Sequence, residues 1–238
     1  MKNLVFLTGA GISKASGIPT FRDSKDGLWH NFNIEDVSSI EGWKKNPQLV
    51  MDFYNARRRD MTKVEPNEAH YMVAELEHEY NVTIITQNVD DLHERAGSTH
   101  ILHMHGELNR VREVIPDHKR FDILPRVYTW EGDLTLEDKS PNGYPLRPDV
   151  VWFNENVKYY EECLHAVENA DILCVVGTSL QVYPASTFML KAKPECKIFY
   201  IDPNAITNAS TPLVNYNVEL INKNAIDGLK EMIERLHD

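Results

Sequence analysis

Five short segments carry side chains suited to chemistry, and each follows an apolar run. Residues 8–22 read TGAGISKASGIPTFR behind the apolar run 4–7. Gly9 and Gly11 permit a sharp turn and a close approach of backbone to a phosphate. A helix opening near Gly11 would aim its free N–H groups and positive dipole end at that phosphate. A full dinucleotide fingerprint wants a third glycine at position 14, where Lys14 stands, so a plain tight turn is the competing use. Residues 86–90 read Thr-Gln-Asn-Val-Asp. Asp90 alone would serve as a helix N-cap, whereas the amides of Gln87 and Asn88 suit ribose hydroxyls or a carboxamide. Residues 103–106 read His-Met-His-Gly, and strand alternation puts His103 and His105 on one face. No Cys or further His lies at ligand spacing, so no metal is expected there. His105, at a strand end before Gly106, can take a proton from a hydroxyl at neutral pH. Gly177, Thr178 and Ser179 offer amides and hydroxyls for phosphate or ribose. Asp202 can accept from a ribose diol, or close a turn with Pro203 and Asn204.

The apolar runs that position these segments are 4–7, 82–86, 101–104, 172–176 and 198–201. Continuous runs of this kind predict strands covered on both faces. Helical patterns lie between them, from Asn67 as N-cap to about residue 80, over 157–169, and over 225–236. The alternation predicts an α/β fold, a Rossmann-like doubly wound parallel sheet, with ligands beyond the carboxyl ends of its strands. Two stretches break the alternation: 31–65, which looks helical and is rich in Arg, and 107–146, which is mixed and holds four prolines. The expected division is a nucleotide-binding domain from 1–30, 66–106 and 147–238, with a small domain from 31–65 and 107–146.

A net charge of -11 argues against nucleic acid as a partner. No apolar stretch reaches the length of a membrane span, and the first strand starts too early for a signal peptide. Cys163, Cys174 and Cys196 form no C-x-x-C pair, and their odd number gives no disulfide framework. The expectation is a cytoplasmic protein with no membrane partner and no catalytic cysteine.

Six segments in order resemble the sirtuin family of NAD-dependent protein-lysine deacylases: GAGISKASGIPTFR (9–22), GLW (27–29), TQNVDDLHERAG (86–97), HMHGEL (103–108), RPDVVWFNE (147–155) and GTSLQVYPA (177–185). The resemblance implies NAD as co-substrate and an acyl-lysine protein or peptide entering the same cleft. It implies a cofactor loop of Gly9, Ala10, Thr20, Phe21 and Arg22, with Phe21 shielding the reacting C1′. Asn88 and Asp90 would line the nicotinamide pocket, Asn88 taking part in catalysis, with Gln87 on the ribose and His105 as general base. Gly177, Thr178 and Ser179 would hold phosphate and ribose, and Asp202, Asn204 and Ala225 the adenosine end. The peptide would add as a strand between 151–155 and 181–183, touching Val151, Phe153, Asn154, Glu155 and Val182. The implied products are free lysine, nicotinamide and O-acyl-ADP-ribose.

Tyr54-x-x-Arg57 matches the pair that desuccinylase-type sirtuins use for acidic acyl groups. Arg can grip a carboxylate in bidentate fashion, and i and i+3 share a helix face. A solvated basic helix face is the bland alternative. Most sirtuins also carry two C-x-x-C pairs within the segment matching 107–146. This chain has none, so no zinc is expected, and packing around Phe121, Ile123, Leu124, Val127, Tyr128 and Trp130 is expected to hold that segment. Asn154 stands where Gly is usual, and Asn tolerates left-handed angles. Asp202 stands where Asn is usual. Two rival readings remain: ADP-ribosyl transfer or NAD hydrolysis at the same site, and a non-enzymatic NAD-binding module.

Overall fold

Residues 1–20, 32–119, 122–180, 183–205 and 218–237 are described by the computed structural model. The expected Phe21, Arg22, Phe121 and Val182 lie outside the described residues. The main sheet contains β1 (Asn3–Thr8), β2 (Asn81–Thr86), β3 (Ile101–His103), β7 (Ile172–Val176), β8 (Lys197–Ile201) and β9 (Val218–Ile221). All its pairings are parallel, in the order β3-β2-β1-β7-β8-β9.

The two-residue strand period divides the apolar residues between two cores. Val5, Leu7, Leu173, Val175 and Tyr200 face one, and Leu4, Phe6, Cys174, Val176 and Phe199 the other. Helices α6 (Tyr160–Glu168) and α7 (Ala185–Phe188) cover the first face. Helices α4 (Glu68–Glu75) and α8 (Ala225–His237) cover the second. Asn67 caps α4 as expected, its side chain accepting from the Ala69 amide at 2.9 Å. The sheet changes direction of travel at β1, whose neighbours β2 and β7 lead away on opposite sides. That is the topological switch point where open α/β sheets bind ligands.

A second sheet, antiparallel and ordered β5-β4-β6, contains β4 (Gly106–Glu113), β5 (Val127–Thr129) and β6 (Leu146–Val150). Helices α1 (Ile34–Val37), α2 (Ile40–Lys45) and α3 (Pro47–Met61) pack with it. Residues 146–150 all belong to this sheet, so the sequence-based boundary at 146/147 cuts a strand. Pro148 fits there because β6 is an edge strand. The short helix α5 (Leu92–Arg95) follows the loop after β2.

The segment 107–146 is held differently from the sequence expectation. Leu124 is 87% exposed and Val127 39%, so neither forms a core. The buried apolar residues are Met51, Val111, Leu134 and Leu146, with Tyr128, Trp130 and Trp43 partly buried against them. Polar side chains from α3 do the rest. Asn55 exchanges two hydrogen bonds with the Leu134 backbone, at 2.8 and 2.9 Å. Arg58, 4% exposed, donates to the carbonyls of Leu108 and Gly132. At the far end of β4, the buried Glu113 carboxylate accepts from the Arg126 amide (3.1 Å), the Tyr128 hydroxyl (3.0 Å) and the Asn142 amide (3.0 Å). Burial alone would raise its pKa. These donors, with Ser140, outweigh burial and bring it from 4.5 to about 2. One carboxylate thereby gathers β4, β5 and the 140–142 turn.

A depressed carboxylate stabilises the fold above its unfolded pKa and loses that contribution as pH falls through the folded value. Glu113→Gln is expected to cost about 2 kcal/mol at neutral pH, and to flatten the loss of stability between about pH 4.5 and about pH 2. Urea midpoints across that range check this; parallel pH profiles for the two proteins would refute the role given to Glu113.

Candidate active site

At the carboxyl end of β1 the chain turns through Gly9, Ala10 and Gly11, and the loop after β7 crosses it. The Gly9 amide donates to the Val176 carbonyl at 3.1 Å, and the Gly11 amide to the Gly177 carbonyl at 2.8 Å. A Cβ on Gly11 would sit 2.6 Å from the Gly177 Cα, and one on Gly177 2.4 Å from the Ile12 nitrogen. Gly177 also has φ +66°, in the left-handed region. The glycine pair is thus required by contact between two loops of the protein, beyond any approach to a phosphate.

The loop after β2 joins this crossing through its side chains. Asn88 Nδ2 reaches both the Gly9 carbonyl and Ser13 Oγ at 3.2 Å. Gln87 Nε2 donates to Thr178 Oγ1 at 3.0 Å. Ser13 Oγ donates to Asp90 Oδ2 at 3.0 Å, while Asp90 Oδ1 accepts from the Leu92 amide at 3.2 Å. Asp90 therefore does the work of a cap at the start of α5 and also faces the Gly9–Ser13 loop. Burial raises its pKa to about 6, against the opposing pull of the Leu92 amide, Ser13 and His103. Behind this layer Thr8 and Thr86 share a 2.8 Å hydrogen bond, and the buried rings of His70 and His93 meet edge to face at 5.0 Å.

His105 stands in the turn between β3 and β4; β3 ends at His103, one residue before the apolar run does. The turn needs Gly106, whose φ is +81° and whose added Cβ would overlap the Asp149 carbonyl. His105 Nδ1 lies 3.0 Å from the Gln87 carbonyl. A carbonyl only accepts, so Nδ1 carries the hydrogen and Nε2 keeps its lone pair. Burial lowers the His105 pKa and the Gln87 contact partly offsets this, so the ring is a neutral base at neutral pH.

Beside these residues lies the 151–155 turn. Asn154 has φ +69°, the angle its side chain tolerates and the usual glycine would take freely. The amides of Val151, Trp152, Phe153 and Glu155 donate to His105 O, Glu155 Oε2, Ser38 O and Trp152 O respectively. A strand added at this edge must therefore meet other backbone groups of the turn. Arg147 stacks 3.9 Å over the Trp152 ring and pairs with Glu155, bracing the turn from beneath. Phe153 and Asn154 line a groove of about 970 Å³ whose other wall includes Phe32, Glu35, Ser39 and Glu41.

Tyr54 and Arg57 share α3 but have different surroundings. Tyr54 is buried, accepts from the Trp152 indole at 3.1 Å, and is kept protonated by burial. Arg57 lies 5.1 Å over the Phe53 ring and 3.6 Å from Asp60, with 22% of its side chain exposed. The three consecutive arginines separate: Arg58 is a buried staple and Arg59 pairs with Asp133 at 2.6 Å.

At the other end of the row, the Asp202 amide bonds the Ile221 carbonyl, joining the ends of β8 and β9. Asp202 Oδ1 accepts from the Asn204 amide at 2.8 Å, which is the turn the Asp-Pro-Asn sequence allows. Ala225 opens α8 beside them. Thr20 is half-buried ahead of the residues not described, and Ser179 is half-buried after Thr178. From β2 to β8 these residues span three strand spacings, roughly 14 Å. Hydrogen bonds and close contacts tie Gly9, Gln87, Asn88, Thr178 and His105 to one another. Asp202 and Asn204 are tied to each other by their own turn, at the other end of the same sheet edge.

Sequence reasoning missed Ser13, which bridges Asn88 and Asp90, and the partners of His103. Glu94 and Glu107 approach His103, with ligand-type atoms within 4.8 Å of one another. Spacing counted on Cys and His alone could not find that set. Among the described residues no helix is long and apolar enough to cross a membrane.

This row of groups has close parallels. The Sir2 family model matches residues 9–184. An NAD-dependent protein deacylase of Helicobacter pylori (strain ATCC 700392 / 26695) is 52% identical over 237 residues, covering 99% of this chain and 98% of that one. One from Bacteroides thetaiotaomicron is 43% identical, covering 99% and 98%. A Sir2 homologue solved as an NAD complex superposes with TM-score 0.82 and 36% identity, over 98% of this chain and 89% of that chain. A Sir2 structure bound to acetylated peptide gives TM-score 0.74 at 28% identity, over 98% and 93%. On the sequence match, the shared architecture and the length covered, the chain belongs to the Sir2 family.

Proposed function

We propose that the chain is an NAD-dependent protein-lysine deacylase, and that the observation carrying this reading is the Gln87–His105 pair at the carboxyl end of β2. A base fixed in one tautomer by a backbone carbonyl stands beside two amide side chains anchored to the crossed glycine loops. The residues present suit NAD. Donors and acceptors for ribose, phosphate and carboxamide follow one another along the sheet edge, from Asn88 through Thr178 to Asp202.

Bound NAD supplies an electrophilic ribose carbon with nicotinamide as its leaving group. In this reading Asn88 and Asp90 hold the nicotinamide end, Gln87 the adjacent ribose, and Gly9, Ala10, Gly177, Thr178 and Ser179 the phosphates and ribose. Asp202, Asn204 and Ala225 receive the adenosine end. Holding both substrates in one cleft supplies much of the acceleration. His105 Nε2 takes the proton of a ribose hydroxyl. The acyl-lysine peptide lies along 151–155, and the groove lined by Glu35 and Glu41 suits basic residues beside the lysine. Phe21, Arg22 and Val182 belong to the same reading. Residues 31–65 and 107–146 form the small domain over this cleft. A cytoplasmic setting fits three free, buried thiols.

Tyr54 and Arg57 add succinyl or malonyl lysine to the substrates. The Tyr54 hydroxyl keeps its hydrogen and can donate it, because Trp152 occupies only a lone pair. Arg57 supplies the charge that a carboxylate needs.

Mass spectrometry of matched acetyl, succinyl and malonyl peptides, with and without NAD, tests the reading. O-acyl-ADP-ribose with deacylated peptide is the expected outcome, and ADP-ribose alone would favour NAD hydrolysis. His105→Ala is expected to lower kcat by roughly 10²–10⁴ with NAD binding retained; unchanged turnover would remove His105 as the base. Because its pKa is lowered, the base is lost only as pH falls below the ordinary imidazole value of about 6.5. The wild-type kcat profile should accordingly bend below that point. Arg57→Met is expected to reduce desuccinylation at least about tenfold more than deacetylation, and equal losses would reject the carboxylate clamp.

A further inference from the structure

His103 receives no role from the family resemblance, yet it is 4% exposed and closely engaged. Its Nδ1 lies 3.3 Å from the Asn88 carbonyl oxygen, and its Nε2 lies 2.6 Å from Glu94 Oε1 on α5. A carbonyl and a carboxylate both accept and do not donate. Each ring nitrogen therefore carries a hydrogen, and the ring is an imidazolium. Two residues on, His105 holds the Gln87 carbonyl in the same manner. Consecutive carbonyls of the loop after β2 are thus gripped by alternate residues of the His-Met-His segment.

The titratable groups facing His103 come from three elements. Glu94 and His93 belong to α5, Glu107 to β4, and Asp90 to the loop after β2. Glu107 also pairs with Arg110 at 3.0 Å. Burial disfavours the imidazolium, but the Glu94 hydrogen bond and charge, with Glu107, outweigh burial and raise the His103 pKa.

We propose that His103, hydrogen-bonded to Glu94, is a positioning residue that fixes the Asn88 peptide and, through Ser13, the Asp90 carboxylate at the nicotinamide end of the site. The inference rests on the deacylase reading. Asn88 Nδ2, Ser13 Oγ and the Asp90 carboxylate form one chain of contacts, so a shift of the Asn88 peptide is passed along all three. The imidazolium also acts through space on Asp90, opposing the burial that raises that carboxyl to about 6. Asp90 loses its charge as pH falls and His103 loses its charge as pH rises. The arrangement is intact only between those limits.

The experiment compares wild type with Glu94→Gln, His103→Gln and Glu94→Asp. NAD binding is measured by calorimetry, and nicotinamide–NAD exchange by label transfer, from about pH 5.5 to about pH 9.5. Glu94→Gln is expected to weaken NAD binding about tenfold at neutral pH, and to move the acid limb of exchange up by about half a pH unit, since Asp90 then protonates more readily. Glu94→Asp should recover part of both effects, and the unfolding temperatures of Glu94→Gln and Glu94→Asp should stay close to that of wild type. Unmoved limbs, or losses that track the unfolding temperature alone, would reduce the pair to a structural contact and overturn the proposal. Stoichiometric Zn²⁺ binding to wild type that Glu94→Gln abolishes would assign Glu94, His103 and Glu107 to a metal and also overturn it. Wild-type enzyme that binds NAD with these limbs but deacylates no peptide would reject the deacylase reading instead.

Discussion

Two backbone loops touch at the switch point of the sheet, and the rest of the site is arranged around that contact. Gly11 and Gly177 approach so closely that a single added carbon on either would meet main-chain atoms. The 2.8 Å hydrogen bond between them locks the end of β1 to the end of β7. Side chains from the loop after β2 then find fixed targets: Asn88 the Gly9 carbonyl, and Gln87 the Thr178 hydroxyl. Fully covered strands give the loops stiff supports, because β1 and β7 are buried on both faces. The order of construction is therefore core, strands, crossed loops, and polar side chains.

The side chains in this row are restrained through backbone carbonyls. A carbonyl can only accept, so each contact with an imidazole settles where a hydrogen sits. His105 is left with one basic nitrogen, and His103 with none. Two residues of the same type, two positions apart, are thereby driven in opposite directions: burial lowers the His105 pKa, and Glu94 raises that of His103. Burial lowers the pKa values of His70 and His93 behind them, which favours their neutral rings.

Legibility in the sequence followed burial. The strands around 4–7, 82–86, 172–176 and 198–201 read clearly because apolar residues fill both faces. β9 did not, since its four residues at the sheet edge include Glu219 and only Ile221 is buried. β4 was also hidden, because its buried positions shift parity between Leu108 and Val111, where its register against β6 is irregular, so no single two-residue period runs along it. Leu124 and Val127 were misjudged because hydrophobicity alone does not supply a surface to pack on. The Arg57–Arg59 run was readable as a helix face, but which arginine would be buried depended on the carbonyls of Leu108 and Gly132, fifty or more positions away. The partners of His103 were hidden for the same reason: one of them is a carbonyl, and a carbonyl leaves no mark in a sequence.

The Glu113 cluster changes what the small sheet depends on. A thiolate-held ion in such a segment ties folding to metal supply and exposes it to oxidants and alkylating agents. A carboxylate held by an amide, a phenol and a carboxamide has no such chemistry. All three cysteines of the chain lie beyond the segment and are buried. Thiol oxidation and alkylation therefore have no cysteine to act on in residues 107–146, whereas acidity acts on the segment through Glu113.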